Sequence, residues 1–207
     1  MTDLILVNGT SLNVSRETHE RLEVYEQRLR HWNRSINLVA PSTLQDLWTR
    51  HIVDSAQLLD LAPKANTWVD LGAGGGLPGL IIAAILHETS PETKVTMIES
   101  DKRKSAFLSD AAHHMGISVK VLPVRIEAAP KAQFDVISAR ALAPLPKLLE
   151  LAAPFCNENT VCLFPKGETV EQELTTARSH WHIDAETFPS CTHTGATILK
   201  IQGFSRA

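Results

Sequence analysis

The chain has 207 residues, 43% of them apolar and 21% charged, with 20 Lys+Arg against 23 Asp+Glu for a formal charge of −3. This balance excludes a collagen-like or disordered chain and leaves room for one α/β unit with a small appendage. The longest uninterrupted apolar run, Leu80 to Leu86, is too short to span a bilayer, and MTDLILVNGTSLNVS has no basic n-region followed by an apolar stretch, so the expected location is cytoplasmic, without membrane contact.

In chain order, Ser15 is placed to cap a helix on which Leu22, Tyr25, Leu29 and Trp32 share one stripe. A second helix is expected from Leu44 to Leu61, ended by Ala62-Pro63. From Thr67 the texture alternates between short apolar runs and helical stretches, the signal for a parallel sheet. Strands are predicted at Thr67 to Leu71, Lys94 to Glu99, Ser118 to Leu122, Phe134 to Ser138 and Thr160 to Phe164. Helices are predicted at Gly79 to His87, Lys102 to Met115, Leu145 to Ala153 and Thr169 to His180. HIDAETFPS and ATILKIQ, joined by a turn around Gly195, read as a closing antiparallel hairpin. The expected fold is therefore α/β, a Rossmann-like, seven-stranded, mostly parallel sheet with a small N-terminal helical cap over residues 1–63 and the ligand-binding domain over 64–207.

Cys156, Cys162 and Cys191 lack paired C-x-x-C spacing, and the adjacent His113 and His114 point in different directions on a helix, so no metal site is expected. The charge is unevenly spread. Residues 101–147 hold eight Lys/Arg against four acids, and 27–50 add Arg28, Arg30, Arg34 and Arg50 against Asp46 alone. Such a distribution allows a basic face for a nucleic-acid backbone on an acidic protein, although solvated helix faces would look the same.

The stretch WVDLGAGGGLPGL, Trp68 to Leu80, parses in two ways. Gly74, Gly76 and Gly79 give the G-x-G-x-x-G spacing of dinucleotide sites, with Glu99 about twenty residues on. Asp70, Gly72, Gly74 and Gly76 give the D-x-G-x-G-x-G of class I methyltransferases. A carboxylate beside the loop would repel a pyrophosphate but suits the sulfonium and ammonium groups of S-adenosylmethionine, so Asp70 favours the methyl donor. Glu99, ending its strand, is placed to accept both ribose hydroxyls. After the third strand Ile126 can cover an adenine face and Glu127 can bond its edge. After the fourth, Arg140 stands on the same rim, facing either a ligand or an acid such as Glu127 or Asp135.

WNRSINLVA (Trp32 to Ala40), RHIVDSAQLL (Arg50 to Leu59), VDLGAGGGLPG (Val69 to Gly79), FDVISARA (Phe134 to Ala141) and FPKGE (Phe164 to Glu168), in this order, resemble the RsmG family, also called glucose-inhibited division protein B. The resemblance covers nearly the whole chain, and its first two motifs lie outside any generic cofactor fold. It implies a bacterial 16S rRNA guanine-N7 methyltransferase with S-adenosylmethionine as donor, a guanine of the 530-loop as acceptor, and cofactor contacts at Gly72, Leu77, Ile126, Glu127 and Arg140. Asp70, Gly74 and Glu99 join that set from the reading of the loop. Arg28, Arg30, Arg34, Lys102, Arg103, Lys104, Arg140 and Lys166 are the expected contacts to rRNA, free or within the small ribosomal subunit, made by a monomer. Trp32 and Trp48 read as anchors of the helical cap rather than stacking platforms. Because guanine N7 carries an in-plane lone pair and no proton, no general base is expected. A dinucleotide oxidoreductase, a methyltransferase for another acceptor and a non-catalytic RNA-binding module are the rival readings.

Overall fold

The computed structural model describes residues 2–5 and 11–207, with side chains from Val14 onward. Strands β1 (Thr2–Ile5) and β2 (Ser11–Val14) form an antiparallel hairpin that lies outside the sequence expectation of a purely helical N-terminal part. Helix α1 (Arg16–Trp32) follows, opened by Ser15, whose Oγ accepts the Thr18 N–H at 3.0 Å.

The expected helix from Leu44 is replaced by a mixed run. A 3-10 turn at Pro41–Thr43 is followed, after a break, by a π turn at Trp48–Val53, one α turn (α2, Asp54–Ala56) and a 3-10 turn at Gln57–Asp60. Hydrophobic spacing cannot foresee a π turn, which adds a residue to one turn without changing which residues are apolar, and such turns concentrate at functional sites.

Seven strands form one sheet: β3 (Thr67–Leu71), β4 (Lys94–Ile98), β5 (Lys120–Leu122), β6 (Val136–Ser138), β7 (Val161–Lys166), β8 (Trp181–Pro189) and β9 (Thr197–Arg206). Their order is β5-β4-β3-β6-β7-β9-β8, parallel from β5 to β7 and antiparallel across β9 and β8. The strands expected near 118–122 and 134–138 are present but two residues shorter at their starts, and β7 runs two residues further, to Lys166. Crossovers are made by α3 (Gly79–Thr89), α4 (Lys102–Met115) and α5 (Leu145–Ala152), and α6 (Val170–Arg178) leads into the closing hairpin.

Strand alternation divides the core. Along β3, Trp68 joins the cluster under α3 and α4, whereas Val69 and Leu71 join the one under α5 and α6. The stripe Leu22, Tyr25 and Leu29 of α1 is fully buried in the first of these clusters, so the N-terminal helix and the sheet share one core. Side-chain bonds fasten the same contact. Asp110 of α4 accepts Arg28 Nη2 at 2.7 Å and Trp32 Nε1 at 2.9 Å, and Trp32 meets Phe107 edge-on at 6.0 Å. Trp48 donates its Nε1–H to Glu26 and stacks on His19, so both tryptophans serve as anchors.

Because Asp110→Ala strands a guanidinium and an indole N–H, it should lower the unfolding free energy by about 1–3 kcal/mol. With one core, urea unfolding followed by tryptophan fluorescence and by far-UV circular dichroism should coincide. Two separated transitions in that variant would show that the cap melts by itself.

Candidate active site

The order of the strands reverses between β3 and β6, so their carboxyl ends open a crevice. A cavity of about 480 Å³ lies there, of the size usual for small ligands. Its lining includes Gly72, Gly74 and Leu77 from the loop after β3, Glu99 after β4, Ile126 and Glu127 after β5, and Arg140 and Leu142 after β6. Seven of the eight expected cofactor-site residues therefore meet at one cavity.

The eighth, Asp70, does not. The expectation that its carboxylate faces a ligand is corrected by its placement behind the loop, only 1% exposed. Strand alternation turns its side chain toward α3, where Oδ2 accepts the Gly79 N–H at 3.0 Å and Oδ1 accepts the Ser138 hydroxyl at 2.8 Å. Ser138 in turn accepts Trp68 Nε1 at 2.9 Å. A Cβ on Gly79 would stand 2.8 Å from Asp70 Oδ2 and 3.0 Å from Met97 Cγ, which explains the glycine that opens α3. The arrangement also removes the dinucleotide reading's strongest feature, because the first helical N–H that would face a pyrophosphate is taken by a carboxylate.

Around the cavity, Glu99 holds the rim by accepting the Gly74 N–H at 2.8 Å through one oxygen and the Asp101 N–H at 2.8 Å through the other. Each oxygen retains a lone pair for a ligand hydroxyl. Gly72 has φ +66°, and a Cβ there would lie 2.5 Å from Leu142 Cδ1, so a side chain at 72 would strain the loop and displace a wall of the cavity. Ile98, Leu77 and Ile126 are buried and supply apolar surface for a flat ring. Glu127, in a 3-10 turn (Ile126–Ala128), is exposed at its edge.

Two supports come from the N-terminal part and escaped the sequence reading. The buried Tyr25 hydroxyl donates to the Gly75 carbonyl at 2.7 Å, and Leu38 lines the cavity over that loop. Burial raises the Tyr25 phenol well above its ordinary range, so it remains a donor. The second support is the pair Asp54 and His51, which hold Arg140, only 18% exposed at its side chain. Neither of the acids expected as its partner is used: Arg140 Nη1 donates to Asp54 Oδ2 at 3.2 Å, while Asp135 holds the Asn66 and Thr67 N–H groups. Arg140 Nη2 lies 3.1 Å from His51 Nδ1, and His51 Nε2 lies 2.8 Å from Thr43 Oγ1, which donates to the Ala40 carbonyl at 2.7 Å. A guanidinium can only donate, so Nδ1 accepts and the imidazole proton resides on Nε2. Burial first, then the Arg140 cation, pushes the His51 pKa down to about 4.

Of the residues expected on rRNA, three are committed inward. Arg28 is paired with Asp110, Arg140 with Asp54, and Lys166, 9% exposed at its side chain, with Glu173 at 2.8 Å. Sequence alone could not separate these from surface cations. Arg30 is exposed but donates to Glu26 and the Leu44 carbonyl. Arg34, Lys102 and Arg103 are exposed, Lys104 lines the cavity, and the 2.7 Å bond from Arg103 to the Ser35 carbonyl brings the end of α1 beside the start of α4. A compact basic ridge thus flanks the cavity mouth. Among the described residues no cluster of three or more His, Cys, Asp and Glu side chains is arranged for a metal, and no helix is long and apolar enough to cross a membrane.

Comparison with known proteins agrees with this geometry. The family model GidB, rRNA small subunit methyltransferase G, matches residues 18–199. A protein of Ruegeria sp. (strain TM1040) named ribosomal RNA small subunit methyltransferase G is 50% identical over 195 residues, 94% of this chain and 95% of that one. One of the same name from Gluconobacter oxydans is 48% identical, covering 93% and 97%. Among solved structures, a SAM-dependent methyltransferase from Aquifex aeolicus superposes with a TM-score of 0.58 at 14% identity, covering 85% of this chain and 97% of that one. An O-methyltransferase from Bacillus cereus in complex with SAH gives 0.56 at 16% identity, covering 92% of each. These structures establish the class I methyltransferase fold.

Burial, partly offset by the Ser138 and Gly79 hydrogen bonds, pushes the Asp70 pKa up to about 7. A carboxyl that binds its proton more tightly when folded stabilises the fold below its ordinary value near 4, and that contribution is lost as pH rises to about 7. The unfolding free energy of the wild type minus that of Asp70→Asn should therefore decline between pH 4 and 7 and level off above; a difference that does not change with pH would refute the assignment. For His51, nitrogen-15 NMR should show the neutral Nε2–H tautomer down to about pH 5, with protonation only near pH 4.

Proposed function

Because this chain belongs to the GidB family, rRNA small subunit methyltransferase G, we propose that it transfers the methyl group of S-adenosylmethionine to N7 of a guanine in the 530-loop of 16S rRNA. The observation that carries this reading is the cavity at the strand-order reversal, whose walls combine close backbone, a carboxylate and apolar faces, with a basic ridge at its mouth. The donor carries an amino acid, a ribose and an adenine, and the residues fit each. The backbone around Gly72 and Gly74 approaches the amino-acid part, Glu99 accepts the ribose hydroxyls, and Leu77 and Ile126 sandwich the adenine with Glu127 at its edge.

S-adenosylmethionine supplies a methyl carbon made electrophilic by sulfonium. The N7 lone pair forms the new N–C bond while the C–S electron pair returns to sulfur, and no proton leaves the base. The chain's contribution is placement. It holds acceptor, methyl and sulfur in line and excludes water, without a group to remove a proton. His51, the histidine nearest this site in the hydrogen-bond network, is neutral and engaged at both ring nitrogens, consistent with a positioning role.

Guanine N7 in an RNA duplex faces a deep, narrow groove, so the base must be unpaired or turned out of the helix to be reached. Arg34, Lys102, Arg103 and Lys104 are positioned to hold the surrounding phosphates near the mouth. The roles expected there for Arg28, Arg140 and Lys166 are replaced by the inward pairings above. On this reading the protein works in the cytoplasm on rRNA or a small-subunit particle, as a monomer.

Labelled methyl from S-adenosylmethionine should reach small subunits, or their naked 16S rRNA, from cells lacking this protein, and nucleoside digestion should yield 7-methylguanosine at one site. Donor binding without label on either substrate would overturn the acceptor while leaving the donor site intact.

A further inference from the structure

A methyl group moves only between atoms about 3 Å apart, so whatever accepts it must occupy a space that adjoins the donor cavity. A second cavity meets that condition. It measures about 620 Å³ and shares Arg140, Ala141 and Leu142 with the first, so this short segment is the partition between them. Its far walls come from the ends of β7 and β9. Pro144, Pro165 and Ile198 give it flat apolar sides, and Asp54, Lys166 and Ser190 give it polar ones. Flat apolar faces with a few polar groups at the margin are what a single planar heterocycle requires, and neither the volume nor the walls suit a run of stacked bases.

The partition is held in an unusual shape. Ala141 has φ +52°, the left-handed region that a residue with a Cβ adopts at a cost and that persists only where neighbours impose it. Three anchors do so. Arg140 is fixed to Asp54 and His51 on one side. On the other, Lys166 Nζ donates to the Ala143 carbonyl at 3.2 Å and to Glu173 Oε2 at 2.8 Å, and the same Glu173 oxygen accepts the Leu145 N–H at 2.8 Å. One nearly buried ion pair therefore grips the backbone at 143 and again at 145, and Glu173 stays charged because Lys166 and the Leu145 N–H outweigh the burial that opposes it.

We propose that this second cavity receives the extruded acceptor purine, with Lys166 and Glu173 as positioning residues that fix the partition against which the base is presented. The inference rests on a nucleobase being the acceptor, and it goes beyond that reading by naming where the base sits and what shapes the place.

The test uses an RNA fragment carrying 6-thioguanosine at the target position, bound to the full chain with S-adenosylhomocysteine and irradiated, because the photoreactive sulfur lies next to N7. Cross-links should map to peptides containing Ala143–Pro144 or Pro165–Gly167. Cross-links confined to α1 or to the start of α4 would overturn the cavity assignment. This readout is independent of turnover, so a wild type that cross-links in the cavity yet yields no 7-methylguanosine would refute the proposed reaction and keep the cavity. Ala196→Trp, which fills the space from its rim, should abolish the cross-link and lower kcat at least a hundredfold while donor affinity by calorimetry is unchanged. Wild-type turnover in that variant would sink the proposal. Lys166→Met should lower kcat at least tenfold with the donor Kd retained, and Lys166→Arg should restore most of it; equal losses of donor affinity in both would show a merely structural pair.

Discussion

The site depends on the buried carboxylate of Asp70. It sits at the end of the central strand, where the order of the strands reverses, and ties together three pieces of chain with only two oxygens. One oxygen takes the first N–H of α3, and the other takes the hydroxyl of Ser138 at the end of β6. The glycine loop is the chain between the first two of these points, so its ends are fixed before any ligand arrives. A buried charge is costly, and hydrogen bonds from groups that would otherwise be orphaned themselves offset only part of that cost, which is why the group holds its proton up to about pH 7. Gly79 follows from the same contact, since any larger residue would push the helix off the oxygen that holds it. Asp and Gly at the two ends of one motif and Ser in another are thus a single interaction.

The N-terminal segment completes the site rather than covering it. Tyr25 holds the Gly75 carbonyl from beneath, and the π turn at Trp48–Val53 opens the carbonyl ladder so that the Arg50 carbonyl, the His51 ring and the Asp54 carboxylate all face Arg140. Arg140 in turn belongs to the partition between the two cavities. A disturbance of the segment before the sheet consequently reaches the donor loop by one hydrogen bond and the partition by a chain of three. This accounts physically for motifs that lie outside the cofactor fold, such as RHIVDSAQLL, and yet are bound up with it.

Legibility in the sequence followed the physics of each feature. The parallel strands were readable because burial on both faces makes them continuous apolar runs, and the closing hairpin because β-branched residues surround a turn at Gly195. Their ends were less so. Ser118 and Val119 resemble strand residues but lie before the first pairing of β5 with β4, a matter of tertiary register. The donor cavity was legible where loop chemistry is local, at Gly72, Gly74 and Glu99. Asp70 was misread because motif spacing gives proximity to the loop but not the direction of a side chain, although the alternation of buried residues along β3 carried that information. Lys166, Arg28 and Arg140 were misread for a related reason: a charge count cannot tell a paired cation from a free one, whether its partner is distant in sequence, as Asp110 is from Arg28 and Asp54 from Arg140, or on the following helix, as Glu173 is from Lys166. His51 and Asp54 were visible within a motif, but nothing local indicated that they would meet Arg140.

The pairing of Arg140 has an electrostatic consequence. On the proposed reaction, methyl transfer takes a positive charge out of the donor cavity, past the edge of the partition, and onto the acceptor. An unpaired guanidinium in that partition would oppose the arrival of the charge, and in a crevice shielded from water the opposition would be large. Asp54 neutralises it, and Lys166 on the opposite wall is neutralised by Glu173. The two cations can then contribute hydrogen-bond geometry without presenting net charge to the reacting atoms. A nearby histidine that became cationic would undo this balance, and burial beside Arg140 holds His51 neutral through the physiological range. Arg34, Lys102, Arg103 and Lys104 have no such carboxylate partners among the described residues and lie toward the mouth, where a positive potential favours an RNA backbone. Separation of the paired cations within from the exposed ones outside lets an acidic protein bind a polyanion and still accept a cation at its centre.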